Sequence, residues 1–152
     1  MRKAARLAKS VVLLVEPGTP AGFARIRAAR DVLLAAGLSP LAPCPGAMTC
    51  PMTGSDWCHF SVRLARSRDH KFLKAADAPF EDERYSFFAA IKGSAQSAPA
   101  RVLAAPIKGR GEITARLCTP AGVEERHFKR ADKVRYAKAR AIDWGDALES
   151  DA

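Results

Sequence analysis

Val11-Val12-Leu13-Leu14-Val15 is apolar at every position, without the alternation expected of a strand that has one wet face. An unbroken run of this kind predicts an interior parallel strand, buried on both faces of a layered α/β protein. Glu16-Pro17-Gly18 ends the run, Thr19 stands as a helix N-cap, and Pro20 takes the first helical position. Phe23, Ile26, Ala29, Leu33 and Ala36 then recur on one helical face, with Arg25, Arg27 and Asp31 off it. Gly37 supplies the C-cap, and Pro40 keeps the helix from resuming. The pattern is a strand–turn–helix unit.

Residues 38–58 show no periodicity and contain Pro40, Pro43, Pro45 and Pro51, so they read as a loop. Such a loop is longer than a compact domain usually keeps without a functional reason. Residues 61–76 read as a helix and 85–92 as a strand, although Glu81-Asp82-Glu83 is also able to open a short helix. Residues 93–99 form a small-residue connector. Three late strands follow over 101–107, 112–118 and 123–129, with turns at 108–111 and 119–122. Asp132 caps a last helix running through Ile142. The organisation is a basic segment over 1–10, one domain over 11–146 and a frayed tail over 147–152. A strand buried on both faces needs neighbours on either side, and nothing before Val11 provides them. The chain reads as the second half of a doubly wound α/β domain.

Composition sharpens this picture. Hydrophobic residues are 48% of the 152, but thirty of them are alanine. Val, Ile, Leu and Phe make up only about a fifth, close to the level below which chains fail to build a core. So thin a core points to support from a metal, a partner or a further part of the fold. No apolar run approaches the ~20 residues of a membrane-spanning helix. The run at 11–15 is too short for a signal-peptide core, despite Arg2, Lys3, Arg6 and Lys9 before it. A cytoplasmic location is expected. The formal charge of +9 is concentrated in residues 1–76 and 101–140, while 77–100 and 141–152 are net acidic. Two basic blocks imply an anionic partner, with RNA or DNA first.

Cys44, Cys50 and Cys58 lie in the long loop, and Cys118 closes a late strand. In a cytoplasmic chain, four cysteines are metal ligands or ordinary core residues rather than disulfides. The core reading suits Cys118, but no periodic face would bury the other three. The gaps lack the paired two-to-four-residue spacing of a zinc knuckle, while proline follows Cys44 and Cys50, as at a cysteine of bacterial ferredoxin runs. Spacing alone leaves iron–sulfur, zinc and structural cysteines open. On a helix over 61–76, Arg63, Arg66, His70 and Lys74 would share one face, and Arg68 and Lys71 add charge beside it. That makes a basic ridge able to contact phosphates, against the plainer reading of a solvated helix face. Lys129, Arg130, Lys133, Arg135, Lys138 and Arg140 pose the same choice. Gly18 and Gly22 are structural, since neither a GxGxxG fingerprint nor a Gly-Lys-Ser/Thr loop is present. Glu16 ends a strand where open α/β sheets place ligands, but it stands alone. His59, His70 and His127 lack a hydrolase context and read as surface or structural residues. No catalytic residue is assigned.

Val15-Glu16-Pro17-Gly18-Thr19-Pro20-Ala21-Gly22-Phe23, Ala42-Pro43-Cys44-Pro45 and Cys50-Pro51 together resemble one family. Trp57-Cys58-His59-Phe60, Phe80-Glu81-Asp82-Glu83, Leu117-Cys118 and Trp144-Gly145-Asp146 resemble it too. It is the methyltransferase-like family of small-ribosomal-subunit assembly, found in mitochondria and bacteria. The resemblance implies the second half of a class I methyltransferase (Rossmann-like) fold with a Cys-rich metal-binding loop and late antiparallel strands. It also implies binding to small-subunit rRNA and a 4Fe-4S cluster held by Cys44, Cys50, Cys58 and Cys118. Gly46 stands where the family pattern has a histidine, and no ligand is lost by that change. The S-adenosylmethionine-binding strands of the family are not in this chain, so binding of that cofactor by this chain alone is not expected. Two alternatives stand beside the assembly factor. One is the C-terminal part of an active S-adenosylmethionine-dependent rRNA methyltransferase, with its other half on a separate chain. The other is a zinc-stabilised basic RNA-binding domain.

Overall fold

The computed structural model describes residues 1–75 and 77–149 and arranges them in two antiparallel sheets flanked by helices. The first part runs α1 (Arg2–Leu7), β1 (Val11–Pro17), α2 (Pro20–Ala35), β2 (Leu38–Ala42), β3 (Phe60–Ala65), α3 (Arg68–Leu73) and β4 (Phe80–Lys92). Thirteen residues long, β4 is the spine of this sheet. It pairs with β1 through residues 85–91, with β2 through 89–92 and with β3 through 80–85. The second sheet holds β5 (Ala100–Val102), β6 (Ile107–Lys108), β7 (Glu112–Thr119), β8 (Gly122–Lys129) and β9 (Ala147–Leu148), with α4 (Lys133–Ala139) packed on β8 and β7. Among the described residues, no helix is long and apolar enough to cross a membrane.

The turn into α2 forms as its residues dictate. The Thr19 hydroxyl accepts the Gly22 amide at 3.1 Å, and Pro20 opens the helix. Phe23, Ile26 and Leu33 are buried on one face. Ile26 and Leu33 join Val12, Leu38, Phe88 and Ala90 in a core closed at one end by Ala5 of α1. Leu33 and Phe88 are wholly buried, each worth about 1.5–3 kcal/mol. A second core, including Val102, Ile113, Leu117, Phe128 and Ile142, fills the other sheet. Between the two lies a third cluster of Phe23, Met52, Leu103 and Cys118.

Several expected elements differ from those observed. β1 is not an interior parallel strand: β4 runs antiparallel to it along one edge, and only Val12 on it is fully buried. Val11, Leu13 and Val15 are 44%, 61% and 59% exposed, because α2 covers only the face bearing Val12 and Leu14. The expected loop over 38–58 begins with β2, an edge strand whose register shifts between Pro40 and Ala42. An edge position tolerates the amide that Pro40 lacks. The expected helix over 61–76 is instead β3 followed by α3, since the long β4 offers Phe60–Ala65 a ladder from Phe80 to Tyr85. Glu81-Asp82-Glu83 belongs to that ladder and opens no helix. Residues 101–107 hold two short strands, β5 and β6, rather than one. Within the basic 1–10 segment, α1 is helical. In the expected tail, Ala147–Leu148 pairs with β5, and 150–152 lie outside the described residues.

Candidate metal centre

The connection from β2 to β3 is held from several sides by identifiable bonds. Trp57 donates its indole N–H to the Gly18 carbonyl at 3.1 Å, and the Ser86 hydroxyl donates to the Cys58 carbonyl at 2.8 Å. Trp144 donates to the His59 carbonyl at 3.0 Å, and the His59 ring stacks on Trp57 while meeting Trp144 edge-on. Asp56 pairs with Arg116 of β7, which ties the loop to the second sheet. His59 is therefore structural, as its sequence context suggested.

This scaffold brings all four cysteines to one cavity of about 40 Å³. Cys44, Cys50 and Cys58 enter from the loop, and Cys118 enters from β7 across the boundary between the sheets. Phe23 and Ile26 of α2, Phe87 and Phe88 of β4, and Leu103 supply apolar walls. Cys118 is buried, while the other three are half-buried, and none forms a disulfide. Burial pushes the Cys118 thiol up to about 11 and raises Cys58 further, with the neighbouring cysteines adding to both. Cys44 is also raised, chiefly by burial, although Arg30 opposes the shift. Among the described residues, no three His, Cys, Asp or Glu side chains gather closely enough to hold a single ion.

Arg30 is a member of this site that the sequence reading does not single out. Its side chain is only 4% exposed, and its guanidinium lies over the Phe88 ring at 5.8 Å from the centroid. One terminal nitrogen donates to the Met48 carbonyl, the other donates to Asp31 at 3.1 Å, and among the described residues Nε has no partner. Its spacing carries a signal: Arg30 follows Ile26 by four and precedes Leu33 by three, so it occupies the buried stripe of α2. Arg101 reaches the same cavity, donating to the carbonyls of Pro43 at 3.2 Å and Gly145 at 2.9 Å.

The expected basic ridge takes another form. Arg63 lies on β3 with its guanidinium over Phe80, so it does not share a helical face with the rest. Arg66, His70 and Lys74 converge on Glu81 at 3.1, 3.2 and 2.6 Å. Arg68 of α3 is exposed and Lys71 half-buried, and among the described residues neither side chain has a hydrogen-bond or ion-pair partner. Glu16, a candidate ligand by its place at a strand end, is paired with Arg25 at 2.8 Å. Cations of the late block border a groove lined by Arg130, Lys133, Tyr136 and Arg140.

Two comparisons bear on what this arrangement is. The human mitochondrial ribosome assembly protein METTL17 is 28% identical over 151 residues, an alignment covering 90% of this chain and 32% of that protein. The chain thus spans about a third of the length of the curated relative it matches. A family model described as mitochondrial small ribosomal subunit Rsm22 matches residues 1–149, which hold every cysteine, both arginines of the cavity and both sheets. By that match, the chain belongs to the mitochondrial small ribosomal subunit Rsm22 family.

Proposed function

We propose that this chain is the portion of a small-ribosomal-subunit assembly factor that carries a four-cysteine iron–sulfur centre and contacts rRNA. The observation that carries the metal part is the convergence of Cys44, Cys50, Cys58 and Cys118 on one cavity. A zinc ion draws four thiolates to about 2.3 Å from a single point. In a 4Fe-4S cluster each thiolate binds its own iron, so the sulfurs stand farther apart around a common volume. The proline after Cys44 and Cys50, as at a cysteine of bacterial ferredoxin runs, and the lack of a paired two-to-four-residue ligand spacing favour the second arrangement. The orphaned Nε of buried Arg30 beside them is consistent with an anionic group in that cavity. When bound, such a centre supplies metal–sulfur bonds that tie the 43–58 loop to β7, and each thiol yields its proton to solvent as its sulfur takes a metal. The test is purification without oxygen. The wild-type protein should be brown and contain iron and sulfide, and Cys44→Ser or Cys118→Ser should lose both. Stoichiometric zinc without iron would replace the cluster with the zinc reading.

The ribosomal part rests on the family and on the charge of +9. The surface offered to RNA is α3 and its surroundings, with Arg63, Arg66, Arg68, Lys71 and Lys74 as the contacting cations. Among the described residues no carboxylate pairs with Arg63, Arg68 or Lys71; Arg63 lies over the Phe80 ring, so Arg68 and Lys71 would meet phosphates most directly. One observation favours a second reading, the C-terminal part of an S-adenosylmethionine-dependent methyltransferase. Among the described residues the outer edge of β1 is unpaired, and Val11, Leu13 and Val15 are exposed on its uncovered face. Further strands of a Rossmann-like sheet, supplied by another part of such a protein, would cover both. Saturable S-adenosylmethionine binding, by calorimetry, only when this chain is joined to such strands would establish that reading.

A further inference from the structure

We propose that Arg30 and Arg101 are the built-in counter-charges of an anionic metal centre in the four-cysteine cavity. The inference rests on the metal reading above and extends it to residues outside the ligand set. Four thiolates around a zinc ion, or around a cubane cluster in its ordinary doubly positive form, leave a net double negative charge. Placing that charge among Phe23, Ile26, Phe87, Phe88 and Leu103 is costly unless cations compensate it. Two cations line the same cavity, one from α2 and one from β5.

Arg30 has a more specific difficulty that this assignment resolves. A guanidinium with 4% exposure normally has a buried carboxylate beside it. Here Asp31, its acidic partner, is 63% exposed, and among the described residues Nε has no acceptor. Its other bonds go to the loop carbonyls of Met48 and, at a long 3.5 Å, Gly46, which lie between Cys44 and Cys50. Arg101 likewise donates to Pro43, the residue before Cys44. Both arginines therefore hold the backbone that presents the sulfurs and place positive charge beside them. A partner that orients a ligand segment while adding charge is worth roughly 10–100-fold in metal affinity.

The test separates a counter-charge from a purely structural arginine. Arg30→Met, Arg101→Met and Arg30→Lys are prepared beside wild type, each with iron and sulfide reconstituted and each metal-free. In the loaded protein, either Met variant should lose iron to a chelator roughly 10–100-fold faster. The midpoint potential of its cluster should move to more negative values, because removing a positive charge disfavours the added electron. Arg30→Lys keeps the charge and should stay near wild type in potential. In the metal-free protein the sign reverses for Arg30. There the buried cation lacks its anion, so Arg30→Met should melt no lower than wild type, or higher. Arg30→Met melting lower by the same amount with and without metal, at an unchanged potential, would make Arg30 a structural clasp and overturn the assignment. The same holds for Arg101 if Arg101→Met leaves potential and iron retention unchanged. A wild-type protein that binds no iron, sulfide or zinc would instead overturn the metal reading itself, and this inference with it.

Discussion

Single atoms decide the strand-to-helix turn. A Cβ built on Gly22 would lie 2.0 Å from the Pro17 carbonyl oxygen, and one on Gly18 would lie 2.7 Å from the Arg84 backbone. Neither contact is with a flexible side chain, so the backbone itself would have to move. Gly46 is the opposite case, its nearest neighbour being the Met48 sulfur at 3.7 Å. Gly22→Ala should therefore destabilise the protein by about 1–3 kcal/mol in urea unfolding, whereas Gly46→Ala should change it by less than about 0.5 kcal/mol. Equal losses at the two positions would mean that α2 adjusts its entry at no cost.

At the scale of elements, α3 has no buried residue and is short, so packing alone does not hold it. Glu81 of β4 supplies the tie through Arg66, His70 and Lys74. Hydrogen bonding from Lys74, followed by Arg66, holds the Glu81 carboxyl below the usual carboxylate range. A carboxylate with a depressed folded-state value stabilises the fold above its ordinary value, near 4.5, and that contribution fades as pH falls through the depressed one. NMR order parameters of residues 68–73 should thus drop on acidification below about pH 4, and Glu81→Gln should show the lowered values already at pH 7. If α3 stays as rigid in Glu81→Gln as in wild type, the tie is not electrostatic.

For the whole molecule, the question of surface is which cations meet RNA. Reversing Arg66 and Lys74 would break the Glu81 ties as well as remove charge, so any effect would be mixed. Arg68→Glu/Lys71→Glu leaves the Arg66, His70 and Lys74 ties to Glu81 in place and is the cleaner variant. Across a salt series with small-subunit RNA, it should bind more weakly, and its log–log slope should fall by roughly 0.7–0.9 for each phosphate no longer neutralised. Wild-type affinity and slope in that variant would reduce α3 to a solvated helix.

Much of the architecture near α2 is legible in the amino-acid sequence alone. Thr19, Pro20 and the stripe at Phe23, Ile26 and Leu33 act within a few residues of one another, so local chemistry suffices to place that helix. The turns at Gly111 and Gly122, which delimit β7 and β8, are readable for the same reason. The four cysteines stand out through their types and neighbours, and the family match bears out the resemblance seen in their motifs. The expectations that failed depended on partners far along the chain. Residues 60–65 form a strand because β4 extends to Phe80 and offers them a ladder, and the Arg66, His70 and Lys74 ridge dissolves once Glu81 is brought alongside. The uncovered face of β1 depends on what packs against it, which no pattern within Val11–Val15 records. Arg30 is the sharpest case. Its position in the stripe marks it as buried, but only the tertiary structure sets it beside Cys44, with Cys118 from another sheet completing the ring. Local interactions wrote α2 and the late turns, and long-range pairing decided where residues 60–73 fold, which charges neutralise one another and which surround the cavity.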